Sequence, residues 1–245
     1  MKNLKKILIV FLAVLFVSPV IVNGANLTVT TTNSFVNELP NKILIKTEDS
    51  NTVYWYSDGK RYVFPNEKTY KTWFDDYSGV NEISKERLSQ IPLAENITYR
   101  PASRLVKIQT DPNVYVVGPN SYLHLLTDED VARQLYGKDW NTLVDDLPIT
   151  LFTNYKFGDP ISEPFYVDGS VITYGNGGSV YVIENGKKRQ IMDENTMDIN
   201  YFSNDLIFTS SPSLVFENGE SLLGSSKFYT DLTQSLERWD GKIQE

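Results

Sequence analysis

The chain has no cysteine and a single histidine, His124, among its 245 residues. Without thiols there is no disulfide, no thiolate metal centre and no thiol nucleophile, so stability has to come from burial. One imidazole excludes any site built on two histidine ligands, and a histidine base also needs a placed partner. A basic excess is missing too: 23 Lys and Arg stand against 31 Asp and Glu, a net charge of −8. That balance argues against nucleic acid and anionic lipid as general partners. No phosphate-cradling glycine loop ending in Lys-Ser/Thr, no G-x-S-x-G elbow and no complete calcium loop occurs. Neither a catalytic residue nor a cofactor or metal is therefore expected.

Long apolar runs are scarce as well. The exception is Ile7 to Val22, preceded by Lys2, Lys5 and Lys6 and followed by Gly24 and Ala25. A charged start, an apolar middle and small residues are the order of a secretory signal, with cleavage predicted after Gly24. The run falls short of the ~20 residues that usually span a bilayer, which makes a retained membrane anchor the minor alternative. Removing residues 1–24 would take away three lysines and move the net charge from −8 to −11. The expectation is a secreted or cell-surface protein, not membrane-bound after cleavage.

What the chain does contain is an internal repeat. Leu44 to Asn66 reads LIKTEDSNTVYWYSDGKRYVFPN, Leu105 to Thr127 reads LVKIQTDPNVYVVGPNSYLHLLT, and Val171 to Asp193 reads VITYGNGGSVYVIENGKKRQIMD. The windows align without a gap at offsets of 61 and 66 residues. Each has three strand-like runs, the last two separated by a turn. Asp58-Gly59 and Asn185-Gly186 supply the positive φ of tight hairpins. Gly118-Pro119-Asn120-Ser121 must turn differently, because proline cannot take a positive φ. Next come Asn66, Thr127 and Asp193, each a good helix N-cap followed by acids, which predicts helices over 67–74, 128–136 and 194–200. Val80 to Ser84 (VNEIS) matches Val144 to Pro148 (VDDLP), whereas the third copy looks degenerate there and Asn218 to Leu222 reads as the start of a truncated fourth unit.

Alternation puts Val53 and Trp55 on one face with Val114, Val116, Val180 and Val182. Tyr54 and Tyr56, Tyr115 and Val117, and Tyr181 and Ile183 take the other. Both faces look buried, so VYWY reads first as a packed strand. The functional alternative is an aromatic patch: Arg61, Tyr62, Trp73 and Tyr77 with Tyr70 in the first copy, Tyr122 and Trp140 with Tyr136 in the second. Such rings stack on sugars or contact peptides. His124 aligns with Val63 and Gln190, on the face opposite Phe64, Leu125 and Ile191. A hydrolase of wall polymers would need two converging carboxylates, for which Asp76 and Asp146 are the nominees.

The form "VY, two or three residues, DGKRY, V-F-P-N, then W" resembles tandem modules of roughly sixty residues in secreted or surface proteins of bacteria, a repeat period within the usual range. That resemblance covers residues 44–161 well and 171–193 less well; it implies location and architecture, and no mechanism. YWYSDGKRY also looks like the aromatic hairpins of choline- and glucan-binding wall repeats, but the much longer period departs from them and no binding residue carries over. The fold expected is α+β: three tandem repeats, each a small antiparallel meander or hairpin followed by a short helix. Residues 25–43 form a Thr-rich linker or edge strand, 44–104, 105–170 and 171–220 the repeats, and 221–245 a capping helix marked by Phe228, Leu232 and Leu236. The expected role is non-catalytic, a structural or binding protein of the cell surface or wall. Its partner would be a wall polysaccharide or another surface protein; a carboxylate hydrolase is the lesser alternative.

Overall fold

A computed structural model describes residues 39–175, 178–228 and 232–233. The expected signal and most of the Thr-rich segment lie outside the described residues, as does Leu236. Pro40–Glu245 forms one contact unit. Among the described residues no helix is long and apolar enough to cross a membrane.

Each window folds as a three-stranded antiparallel meander. In the first, β1 (Ile43–Thr47), β2 (Tyr54–Ser57) and β3 (Lys60–Val63) pair in sequence order. Two further strands from the return segment then add in parallel at the edges: β4 (Val80–Ile83) beside β1, and β5 (Leu93–Asn96) beside β3. The second sheet has β6 (Leu105–Lys107), β7 (Tyr115–Val117) and β8 (Tyr122–Leu125), flanked by β9 (Val144–Asp146) and β10 (Lys156–Phe157). The third has β11 (Val171–Tyr174), β12 (Val180–Glu184) and β13 (Lys187–Ile191), flanked by β14 (Ile207–Ser210) and β15 (Glu217–Asn218). The three five-stranded sheets therefore share one strand order, which fits a three-fold repeat.

Several expectations change against this frame. The VNEIS and VDDLP segments are the parallel edge strands β4 and β9, and the third sheet has its own counterpart in β14. Asn218 to Leu222 starts no fourth unit: Asn218 lies in β15, and Leu222 bridges Ile191. The gap-free alignment also fails within the second copy. Ser57↔Lys60 and Glu184↔Lys187 close two-residue turns, whereas Val117↔Leu123 leaves a longer loop in which Pro119 opens a 3₁₀ turn. One extra residue shifts everything after it. The helix cap is accordingly Asp128 rather than Thr127, accepting from the Val131 N–H at 2.9 Å. His124 pairs opposite Val116, the place held by Tyr62 and Arg189 in the other sheets, and its face is that of Leu126.

Helices α1 (Glu67–Lys71), α3 (Glu129–Tyr136) and α5 (Glu194–Ile199) follow the three meanders, capped by Asn66, Asp128 and Asp193. Short helices α2 (Lys85–Ser89) and α4 (Ile149–Phe152) follow β4 and β9; after β14 there is only a turn. The α1, α3 and α5 helices cover equivalent sheet faces but meet different neighbours. Over the second sheet, Val131, Ala132 and Leu135 join Leu105 and Val116 in a core shared with Ile172, Ile183 and Phe208 of the third sheet. The first sheet fills the same face with its own rings: Trp55, Phe64, Tyr70, Trp73 and Phe74. Four, seven and eight residues after the caps stand Tyr70, Trp73 and Phe74 in the first copy, against Ala132, Leu135 and Tyr136 in the second. Aromatic volume replaces a neighbouring sheet.

Arg100, in the link between the first two sheets and only 2% exposed, joins distant parts. Its backbone N–H donates to Thr72 Oγ1 at 3.0 Å just past α1, and its guanidinium donates to Asn200 O at 3.1 Å and to Tyr201 O just past α5. The same group lies 4.6 Å from the Phe202 ring centre and 5.8 Å from that of Trp73. Carbonyls at a helix C-terminus lack intrahelical donors and carry partial negative charge, so they suit a buried cation. From the other direction, Phe228 packs on the third sheet's cluster and Leu232 on the first.

Candidate functional site

Of the aromatic residues singled out from sequence, Tyr62, Tyr70 and Trp73 gather in the first sheet's core with Tyr77 stacked at its edge, while Tyr122 and Trp140 lie apart. Trp73 is 2% exposed, and its indole N–H donates to Thr98 O at 2.9 Å. It belongs to the first sheet's core. Arg61 and Tyr62, adjacent on β3, point to opposite faces: the Arg61 guanidinium lies 5.0 Å from the Tyr54 ring centre, while Tyr62 packs half-buried against the Trp55 cluster. Tyr122 sits beside Lys156, and Trp140 packs half-buried against the core shared by the second and third sheets. Val53 and Trp55 are buried as a packed strand requires, with Tyr54 and Tyr56 half-covered on the reverse side.

Tyr77 stays accessible, at 45% exposure. Its ring stacks on buried Tyr70 at 4.5 Å and 9°, and its hydroxyl donates to Glu67 Oε1 at 3.3 Å. The loop behind it is tied down on several sides. Asp76 Oδ1 accepts from the Ser78 N–H at 2.8 Å and from its hydroxyl at 2.6 Å, the Tyr70 hydroxyl donates to Asp76 O at 2.7 Å, and Lys71 reaches Asp75 O. Burial raises both Tyr70 and Tyr77 above the ordinary phenol range, with neighbouring acids adding to it, so both rings are neutral at physiological pH.

Tyr77 forms one wall of a solvent-open groove of about 830 Å³ at the end of the first sheet. Val53, Phe64, Pro65 and Val80 give it apolar surface, and Asn51, Thr52, Asn66 and Glu67 add polar groups. Opposing charges at its edge are fixed by the parallel register that puts Lys46 beside Glu82, joined by an ion pair of 2.9 Å. A groove of this size with an apolar surface and few polar groups is the usual form of a ligand site. Sequence reasoning reached Tyr77 but missed Lys46, Asn51, Thr52 and Glu82, because they meet only through the β1–β4 pairing. The sequence signal for that pairing is the VNEIS segment, which becomes β4.

The groups nominated for chemistry are otherwise engaged. Asp76 is held below the ordinary carboxylate range by the Ser78 hydroxyl and N–H, the reverse of what a general acid requires. Asp146 pairs with Lys107 at 2.8 Å in a different sheet. His124 Nδ1 lies 2.8 Å from Asp159 O; a carbonyl only accepts, so Nδ1 carries the proton. Its ring fits between Gly118 and Gly158, where an added Cβ would come within 2.6 Å of it on either side. Arg189, at the matching place in the third sheet, likewise donates through Nε to Glu220 O at 2.7 Å, past Gly219. Gly158→Ala is accordingly expected to destabilise the protein by about 1–3 kcal/mol through overpacking, and combining it with His124→Ala should recover most of that loss in a double-mutant denaturation cycle. Equal effects with and without the ring would show that the two do not touch.

Among the described residues no group of three or more His, Cys, Asp or Glu side chains is placed to hold a metal ion. No protein-family model and no curated protein matches the chain. Among solved structures it is similar to a chain of the periplasmic assembly from the ESX-5 inner membrane complex, with 12% identity over 78% of this chain and 62% of that one. The chain thus spans less than two thirds of that protein's length, and at a TM-score of 0.20 the likeness carries no argument about fold or role.

Proposed function

We propose that this is an exported, non-catalytic surface protein built from three copies of one five-stranded module, and that the first copy binds an uncharged wall polysaccharide along the Tyr77 groove. The observation that carries the reading is the groove itself: a neutral phenol ring on a tied loop, apolar surface beneath, and amide and hydroxyl groups around it. Sugars present apolar ring faces and a rim of hydroxyls, which such a surface complements. The nearby charges favour an uncharged polymer over an acidic one, since Lys46 is already neutralised by Glu82.

Purified protein incubated with cell walls and insoluble neutral glycans should co-sediment. Tyr77→Ala should lower retention about tenfold or more while changing stability by roughly 1 kcal/mol, because the lost stacking is exposed. Unchanged retention would remove the groove as the site. Retention only by a protein component of the wall would replace the sugar with a surface partner.

A further inference from the structure

The residue that caps α1 also lines the Tyr77 groove, and it differs from its two counterparts. All three caps do the same structural work: Asn66 Oδ1 accepts from the Thr69 N–H at 2.8 Å, Asp128 from that of Val131 at 2.9 Å and Asp193 from that of Thr196 at 2.7 Å. As caps, asparagine and aspartate rank together, and beside the positive end of a helix dipole the carboxylate has the advantage. The helix therefore gains nothing from having an amide in the first copy. What Asn66 adds is an NH2 group. With Oδ1 committed to the helix, the planar amide is fixed, and Nδ2 has no hydrogen-bond partner among the described residues. Glu67, the next residue, is a complementary acceptor: Oε1 takes the Tyr77 hydroxyl at 3.3 Å, and Oε2 has no partner among the described residues.

From this we infer that the groove selects an uncharged polysaccharide whose rings carry acetamido groups, with Asn66 and Glu67 as the residues that read them. An amide donor and a carboxylate acceptor on consecutive residues match the C=O and N–H of one acetamido group, and Val53, Phe64, Pro65 and Val80 supply apolar surface for its methyl. The inference rests on the sugar binding proposed above and adds to it the substituent that is recognised. Stacking on Tyr77 is blind to that substituent, because every such ring presents an apolar face; discrimination falls to the polar pair. The donor in question is the side-chain amide, not the end of the helix, whose Thr69 N–H the cap already occupies.

The test is a titration of the purified ¹⁵N-labelled protein with triacetylchitotriose and, separately, with cellotriose, its counterpart with a hydroxyl in place of each acetamido group. The acetylated sugar should bind about tenfold more tightly, as one or two further hydrogen bonds and a covered methyl imply, and should shift the Asn66 side-chain NH2 signals. Asn66→Asp keeps the cap in the form used by the other two copies, so the melting temperature should hold while the acetylated sugar falls to the affinity of cellotriose. Asn66→Ser, a neutral cap without an amide, should bring the same fall and separates the lost donor from the added charge. Equal affinity of the wild type for the two sugars, unmoved Asn66 signals, or a preference that survives in both variants would overturn the acetamido assignment while leaving Tyr77 as a sugar-binding ring. Failure of both sugars to bind would overturn it too, and the groove falls with it if Tyr77→Ala leaves retention by cell walls unchanged.

Discussion

Replacing Arg100 with methionine is expected to cost about 3–5 kcal/mol, the usual penalty for breaking a buried charged contact. In a domain of this size that lowers the melting temperature by roughly 6–20 °C. The loss has two sources. Asn200 O and Tyr201 O lose a donor in a place closed to water, and the guanidinium's packing on the Phe202 and Trp73 rings is lost, while the backbone N–H bond to Thr72 stays. Arg100→Lys should recover only part of the loss, because a single ammonium cannot reproduce a planar fork onto two carbonyls while lying against Phe202. Thermal melts of the three proteins decide the matter. If Arg100→Met melts with the wild type, the first and third sheets are held by apolar packing alone.

The second large effect concerns Trp73. Its truncation to alanine should cost about 3–5 kcal/mol, through the cavity left among Trp55, Tyr70 and Phe74 and the loss of the bond to Thr98 O. Trp73→Leu, which installs the residue found seven positions after the cap in the second copy, should cost roughly half as much. Chemical denaturation measures both. Loss of wall binding in the alanine variant would then report unfolding of the groove's foundation, whereas Tyr77→Ala reports the groove itself. A Trp73→Ala protein as stable as wild type would contradict the packing of the first core.

How much of this was legible in the chain follows from how local each signal is. The Asp-Gly and Asn-Gly turns, the caps Asn66 and Asp193 and the buried alternation of Val53 and Trp55 depend on a few neighbouring residues, and they appear where the pattern puts them. The extra residue in the second hairpin is half visible: Pro119 excludes a tight turn, but a gap-free alignment gives no sign of the added residue that moves the cap to Asp128 and sets His124 opposite Val116. Leu93–Asn96, Lys156–Phe157 and Glu217–Asn218 were out of reach. They are short, poorly patterned strands whose place is set by a meander far upstream. The groove shares that origin, since Lys46 and Glu82 meet only after β4 has docked. Trp73, which the sequence offers as a member of an alternative aromatic patch, fills space that a neighbouring sheet occupies elsewhere.

The parallel outer strands have a kinetic consequence. Each antiparallel meander can close locally through short turns, on a timescale of about 1–10 μs for a hairpin. The strands that complete each sheet return from much further along the chain: Leu44 waits for Val80, and Arg61 for Leu93. Non-local closure of that kind is slow, because loop entropy is lost before the contacts that repay it are made. Until its return segment has emerged, a three-stranded meander keeps both edges unpaired. For the export proposed above, that delay would be an advantage: the chain would hold no finished sheet in transit, each one locking only after its last strand has arrived.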